Sequence, residues 1–246
     1  MESNALVLIA VICGFFLIML GMVAFVVYAS RKENEKYTRI AQALGFAPLE
    51  NADEILRKIA FLRDLRMDGH HRLTHVYCRA HASVARTCMY NLSFRTRSRS
   101  ESGSGRKATY HPLEMNALAF ISPAWDLPRF NALPRLSGSG AMAKLGNSIA
   151  EKAMDIKHEV IKFQHIPNLD QRYLISTSEP LPANVRPPDG FLRVLAAHPN
   201  LNVYAGGDTL TLSFVGDNAG LPDVERMKQL YKIGVELARE VAKPSV

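Results

Sequence analysis

Residues 5–29 read ALVLIAVICGFFLIMLGMVAFVVYA, twenty-five positions without a charge, a proline or an amide side chain. As a helix this stretch rises about 37 Å at ~1.5 Å per residue, enough to cross a hydrocarbon core of about 30 Å with some tilt. A cleaved signal peptide competes, because Val27-Tyr28-Ala29 loosely fits a small-residue cleavage site. That reading wants a basic leader and an apolar run of about 7–15 residues, whereas the only charged side chain ahead of the stretch is Glu2. The expectation is a retained anchor. A lipid-attachment site at Cys13 is disfavoured by the branched Ile12 before it, and Gly14 and Gly21 miss the four-residue spacing of close helix pairs.

Outward from the span the material changes. The chain of 246 residues is 48% hydrophobic, with 30 Lys and Arg against 23 Asp and Glu, and every basic residue lies at or after Arg31. With three cysteines and an ordinary apolar fraction, disordered, collagenous and disulfide-scaffold classes are excluded. Arg31, Lys32, Lys36 and Arg39 follow the span and none precedes it, so the positive-inside rule places the N-terminus outside and the rest in the cytoplasm. Cys78 and Cys88 would then meet a reducing compartment, and no structural disulfide is expected.

Three regions follow: an anchor over 1–30, juxtamembrane helices over 31–66, and a cytoplasmic domain over 67–246 that could divide near 137–147. Tyr37, Ile40 and Leu44 share a helical face and Gly45 is placed to end it; Asn51 caps a second helix carrying Ile55, Ile59 and Leu62. Residues 73–81, 84–95 and 108–122 read as strands of an antiparallel meander, and 96–107 (TRSRSESGSGRK) as a flexible polar loop. Residues 123–145 hold three prolines and read as an irregular crossing. Strands at 159–164 and 172–177, a helix over 188–197, a hairpin around Gly206-Gly207-Asp208 and a helix over 222–242 complete an α+β pattern: an N-terminal transmembrane helix, then an antiparallel-sheet domain with packed helices.

No pattern compels a chemistry. Gly138–Ala143 fits a dinucleotide glycine pattern without the strand that would aim it, and Ala143 and Leu145 break a phosphate loop. His71 and His75 would share a helix face suited to zinc, but the segment reads as turn and strand, with solvated histidines. There is no G-x-S-x-G elbow, and Cys78 and Cys88 read as buried strand positions. No catalytic, cofactor or metal residue is nominated. The remaining signal is electrostatic: Arg95, Arg97, Arg99, Arg106 and Lys107 form a basic group tethered beside a bilayer, a candidate contact for anionic lipid or a protein partner. Few aromatics are interleaved with these cations, so nucleic-acid binding is not expected.

Leu127-Pro128-Arg129-Phe130, Leu133-Pro134, Phe163, Tyr173-Leu174 and the hairpin beginning Gly207-Asp208, with His71-Arg72-Leu73 to Tyr90 before them, occur in a familiar order. In this the chain resembles a group of bacterial membrane-anchored proteins of unknown function, in which an N-terminal span precedes an α+β domain. The likeness covers about residues 65–240 and departs in the arginine/serine run and at Arg135, where an acid is usual. It implies bacterial origin and an inner-membrane location, and carries no site residues. Read from the residues alone, Trp125, Leu127, Phe130 and Leu133 pin the crossing to the core. The functional expectation is a membrane-anchored cytoplasmic interaction or adaptor domain; the alternative is a membrane-tethered enzyme with a site assembled from dispersed residues.

Overall fold

A computed structural model of the chain describes residues 2–63, 71–81, 84–99, 108–135, 159–177, 186–215 and 223–243. Helix α1 (Glu2–Leu44) runs through the apolar stretch and on past Ser30 without a break. The expected boundary between anchor and first juxtamembrane helix is therefore a change of composition inside one helix, since Arg, Lys and Glu at 31–36 propagate a helix as well as Leu does. Phe15, Phe16, Leu17 and Phe25 are each at least 65% exposed. The helix is long and apolar enough to cross a membrane, a form shared by retained anchors and signal sequences.

Gly45 ends it at φ +71, a conformation that favours glycine. The Gly45 N–H donates to the Gln42 carbonyl at 3.0 Å and the Phe46 N–H to the Ala41 carbonyl at 2.8 Å, the paired closure that satisfies terminal carbonyls.

Nine strands then form one sheet: β1 (Ala47–Pro48), β2 (Arg72–His81), β3 (Val84–Arg99), β4 (Ala108–Ile121), β5 (Leu127–Pro134), β6 (Glu159–Ile161), β7 (Tyr173–Thr177), β8 (Leu201–Gly207) and β9 (Thr209–Phe214). Their spatial order is β1-β2-β3-β4-β9-β8-β5-β7-β6. Every neighbouring pair is antiparallel. The α+β expectation holds.

Helices α2 (Asp53–Leu62), α3 (Leu169–Arg172), α4 (Asp189–Ala197) and α5 (Val224–Val241) complete the described elements. The Asn51 side chain accepts the Asp53 N–H at 2.9 Å at the start of α2.

The two faces differ in chemistry, and the register shows how. Met89, Leu118, Leu212, Val203, Ala132 and Ile175 lie in one cross-strand row, all buried beneath the foot of α1, α4 and α5. One residue along, Cys88, Ala119, Thr211, Tyr204, Asn131 and Ser176 form a row facing the other way. At its Cys88 end this second row is covered by Ile55 and Ile59 of α2.

Four expectations are corrected. Cys78 and Cys88 form a disulfide: they face each other across β2 and β3 with Cα atoms 4.1 Å apart, a proximity set by strand register and not by compartment. Of the expected 96–107 loop, residues 96–99 belong to β3, which continues to Arg99, and residues 100–107 lie outside the described residues. Within 123–145, residues 127–134 are strand β5, between β8 and β7. Pro128 falls where its pairing with β8 slips between Leu127 and Phe130, and Pro134 is its last residue, positions where a missing N–H costs little. His75, expected in a solvated loop, is a largely buried strand residue. Trp125, Leu127 and Phe130 are buried as expected, while Leu133 is half-buried. The Gly138–Ala143 segment and the 137–147 division lie outside the described residues.

Helix α5 lies close to the sheet because position 234 is glycine: a Cβ there would sit 2.2 Å from the Phe120 ring. Replacement by alanine gains helix propensity of about 1 kcal/mol but overpacks a fully buried aromatic, at a cost of about 1–3 kcal/mol. Gly234→Ala is expected to lower the thermal midpoint of the detergent-solubilised chain; an unchanged or raised midpoint would show that the ring moves freely.

Candidate functional site

The described residues concentrate buried polar chemistry where α1 leaves the apolar stretch and meets the sheet. Tyr37, Ile40, Ala41 and Leu44 form the buried stripe of this helical foot. The Tyr37 hydroxyl donates to Asn116 Oδ1 at 2.6 Å, and Asn91 Nδ2 donates to the Tyr37 oxygen at 3.1 Å and to Asn116 Oδ1 at 3.2 Å. Asn91 and Asn116 are direct partners across β3 and β4, so one phenol closes a triangle on two facing amides. Thr74 donates to Asn91 Oδ1 at 3.3 Å, and Thr38 shares a 3.0 Å hydrogen bond with Tyr77.

His75 forms the edge of this cluster. Its backbone adopts φ +52, at the point where β2 slips in register between Thr74 and Tyr77, and its ring stacks on Tyr37 with centroids 3.9 Å apart. A left-handed non-glycine residue costs of order 1–3 kcal/mol and persists only where its surroundings hold it. Here the Tyr37 ring and Glu33, whose Oε1 is 3.5 Å from His75 Nε2, do so. Burial holds the imidazole below its usual range, against the opposing pull of the Glu33 carboxylate.

The same contacts orient α1 against the strands. Glu33 meets His75, Thr38 meets Tyr77, and the Leu44 carbonyl accepts from Arg79. Residue numbers rise together along α1 and β2, so the two run alongside in one direction. Strand β3 is antiparallel to both, and its pairing with β2 stops at Ser93 opposite Arg72. From Phe94 to Arg99, with residues 108–113 opposite, β3 and β4 continue, among the described residues, as a two-stranded ribbon pointing toward the apolar end of α1.

Arg95, Arg97 and Arg99 occupy alternate positions of this ribbon, in register with Pro112, Tyr110 and Ala108. Arg106 and Lys107 lie outside the described residues. The basic residues of α1, Arg31, Lys32, Lys36 and Arg39, are exposed. A cleft of about 400 Å³ sits on this turn, lined by Arg31, Asn34, Glu35, Thr38 and Arg39.

Elsewhere, an open cleft of about 710 Å³ beside α5 is lined by Asp223, Glu225, Arg226, Lys228 and Lys232 among others. Lys228 is paired with Glu225 at 2.7 Å, and the Arg226 guanidinium lies over the Phe214 ring. Asp208, in the turn between β8 and β9, is partly buried, which works to raise its pKa. The Lys58 ammonium at 2.5 Å and the Thr209 hydroxyl outweigh burial and hold it below the usual carboxylate range. This pair ties α2 to the hairpin.

No group of three or more His, Cys, Asp or Glu suited to a metal occurs among the described residues. His75 faces Glu33 and Tyr37, and no zinc pair with His71 forms on a helix, because both lie in or beside β2. Sequence reasoning missed the Tyr37–Asn91–Asn116 triangle: its members are 25 to 79 residues apart and each is unremarkable alone. Compared with known protein families, curated proteins and solved structures, the chain matches none.

Two tests address this junction. Tyr37→Phe keeps the ring but leaves two buried amides short of a partner, at an expected cost of about 1–3 kcal/mol in unfolding free energy; no loss would show that the triangle is incidental. Because the folded-state pKa of His75 is depressed, its stabilising contribution is complete above the ordinary value near 6.5 and is lost as pH falls through the lower folded value. Thermal melts from pH 7.5 to pH 5 should show a decline that His75→Asn, neutral and tolerant of the left-handed conformation, flattens. Parallel pH profiles for the two chains would remove His75 from the explanation.

Proposed function

We propose that this chain is a single-pass, membrane-anchored interaction domain whose folded body is held against the bilayer by a continuous helix. The observation that carries the reading is that the apolar stretch and the buried foot belong to one α1. Burying Tyr37, Ile40 and Leu44 stabilises the joint by about 1.5–3 kcal/mol for each large side chain. A body attached this way keeps its height and face relative to the membrane, which suits a surface that must meet lipid or a neighbouring membrane protein. Kinship with bacterial inner-membrane proteins of the same plan is part of this proposal, on the Leu127–Phe130 and Tyr173-Leu174 elements.

Topology is proposed as N-out with the body in the cytoplasm, from the four cations at 31–39. The Cys78–Cys88 disulfide favours the reverse, a body in an oxidising compartment. Maleimide labelling after rapid denaturation in SDS, on a Cys13→Ser background, separates the two: thiols at 78 and 88 that react without reductant place the body in the cytoplasm, and thiols blocked until reduction place it outside.

The anchored reading predicts that the full chain stays with membranes through alkaline carbonate extraction. It also predicts that a flexible Gly/Ser insertion between Lys32 and Glu33 leaves extraction unchanged while sharply reducing cross-links to neighbours in the same membrane. Release by carbonate would sink the anchor, and unchanged cross-links would sink the positioned interaction surface.

A further inference from the structure

We propose that the Cys78–Cys88 disulfide is a reversible thiol–disulfide exchange site, entered through Cys78, whose redox state sets how firmly the end of α1 is held to the sheet. This goes beyond the anchored reading and is independent of it, since the joint between α1 and β2 is the same whichever compartment the body meets.

The contacts that hold the end of α1 converge on one short piece of β2. Tyr77 shares a hydrogen bond with Thr38, and the Arg79 guanidinium donates to the Leu44 carbonyl. Ala47 and Pro48, just beyond the end of α1, pair with Cys78 and Tyr77. Successive strand residues alternate faces, so Cys78 turns away from α1 between these two neighbours. It packs instead in the cluster that holds Cys88, Ile55 and Ile59 beneath α2. The same three residues thus grip α1 on one face and are tied to β3 on the other. Backbone pairing is interrupted on both sides of them: the β2–β3 register slips between Thr74 and Tyr77 and again between Ala80 and His81. Tyr77 to Ala80, in step with Met89 to Arg86, form a four-residue island, and the disulfide stands inside it. A ladder broken by irregularities is locally weakened, so a covalent tie adds more here than it would in the uninterrupted β3–β4 pairing.

The two cysteines differ in access. Cys88 is fully buried, on a strand paired on both sides, whereas Cys78 is only partly buried. An incoming thiolate therefore meets Cys78 first. It bonds to the Cys78 Sγ, the bond between the two cysteines breaks, and Cys88 leaves as a thiolate. A second external thiolate attacks the sulfur of the first and releases Cys78. Two external thiols are oxidised to one disulfide, the cysteine pair gains their two electrons, and their two protons end on Cys78 and Cys88. Oxidation runs these steps in reverse: Cys78 takes up one half of an external disulfide, and Cys88 displaces it. The co-reactant is a thiol–disulfide couple small enough to reach Cys78, and glutathione is the probe.

The full-length chain, carrying Cys13→Ser and held in detergent, is equilibrated without oxygen in mixtures of reduced and oxidised glutathione, quenched with acid and scored for free thiols by mass. The expected result is a pair that passes between both states, in either direction, without denaturant. C88S should collect glutathione at Cys78 roughly tenfold or more faster than C78S collects it at Cys88, following exposure. Amide hydrogen exchange over residues 37–48 should be about tenfold to a hundredfold faster in the reduced than in the oxidised chain, the range open to a disulfide that closes a short loop. Residues 115–121 of β4 and 209–214 of β9 should change little. A disulfide that glutathione reduces only after denaturation, or equal rates in the two single-cysteine variants, overturns the exchange site. Unchanged exchange over 37–48 overturns the coupling to α1, and so does a rise of equal size in β4 and β9, which would be a general loss of stability. The exchange comparison uses one chain in two states and decides the coupling even where C78S or C88S fails to fold. Release of the chain by carbonate, which defeats the anchored reading, leaves each of these outcomes as it stands.

Discussion

A phenol hydrogen-bonded to two facing asparagines couples the long N-terminal helix to the sheet. The apolar contacts of Ile40, Ala41 and Leu44 supply most of the free energy of that joint, but they are indifferent to small rotations. Tyr37, Asn91 and Asn116 are not. Advancing α1 by one residue turns it about 100° and would take the Tyr37 hydroxyl away from both amides. The joint therefore fixes helix rotation as well as contact, and the directions of β2 and β3 relative to α1 follow from it. His75 in its left-handed conformation belongs to the same arrangement, since its ring covers the Tyr37 face that would otherwise meet solvent.

Much of this architecture is legible in local pattern. The apolar run, the stripe of Tyr37, Ile40 and Leu44, the terminating Gly45 and the hairpin at Gly207, which adopts φ +56, follow from periodicity and turn chemistry. Strand β5 is hidden by its prolines, which read as breakers because one strand's sequence does not disclose that its pairing slips beside Pro128 and ends at Pro134. The ribbon is hidden differently: an alternation of Arg with Ser and Thr has a strand's period but a loop's polarity, and only the β4 partner selects the former. The buried triangle is illegible in principle, because long-range partners of a lone Asn or Tyr leave no local trace.

The disulfide and the basic flank bear on the same question from opposite sides. In the anchored reading, the four cations within ten residues of the apolar stretch act during insertion, when loop charge is weighed against the membrane. Cys78 and Cys88 act afterward, once β2 and β3 are in register. The hairpin is already held by backbone pairing on both sides of the cysteines, from Arg72–Ser93 to His81–Val84. A bond closing so short a loop adds less than the ~3 kcal/mol of a 15-residue loop. The β2–β3 register therefore has support besides the disulfide, and whether the bond forms depends on the compartment that the body meets.

Arg95, Arg97 and Arg99 stand at alternate positions of β3 beyond the end of its pairing with β2, opposite Pro112, Tyr110 and Ala108 of β4. Charge along a strand end without a further partner among the described residues opposes the addition of another strand. That requirement is met by cations at any height along the strand, and it accounts for a basic run in a strand's period without any ligand.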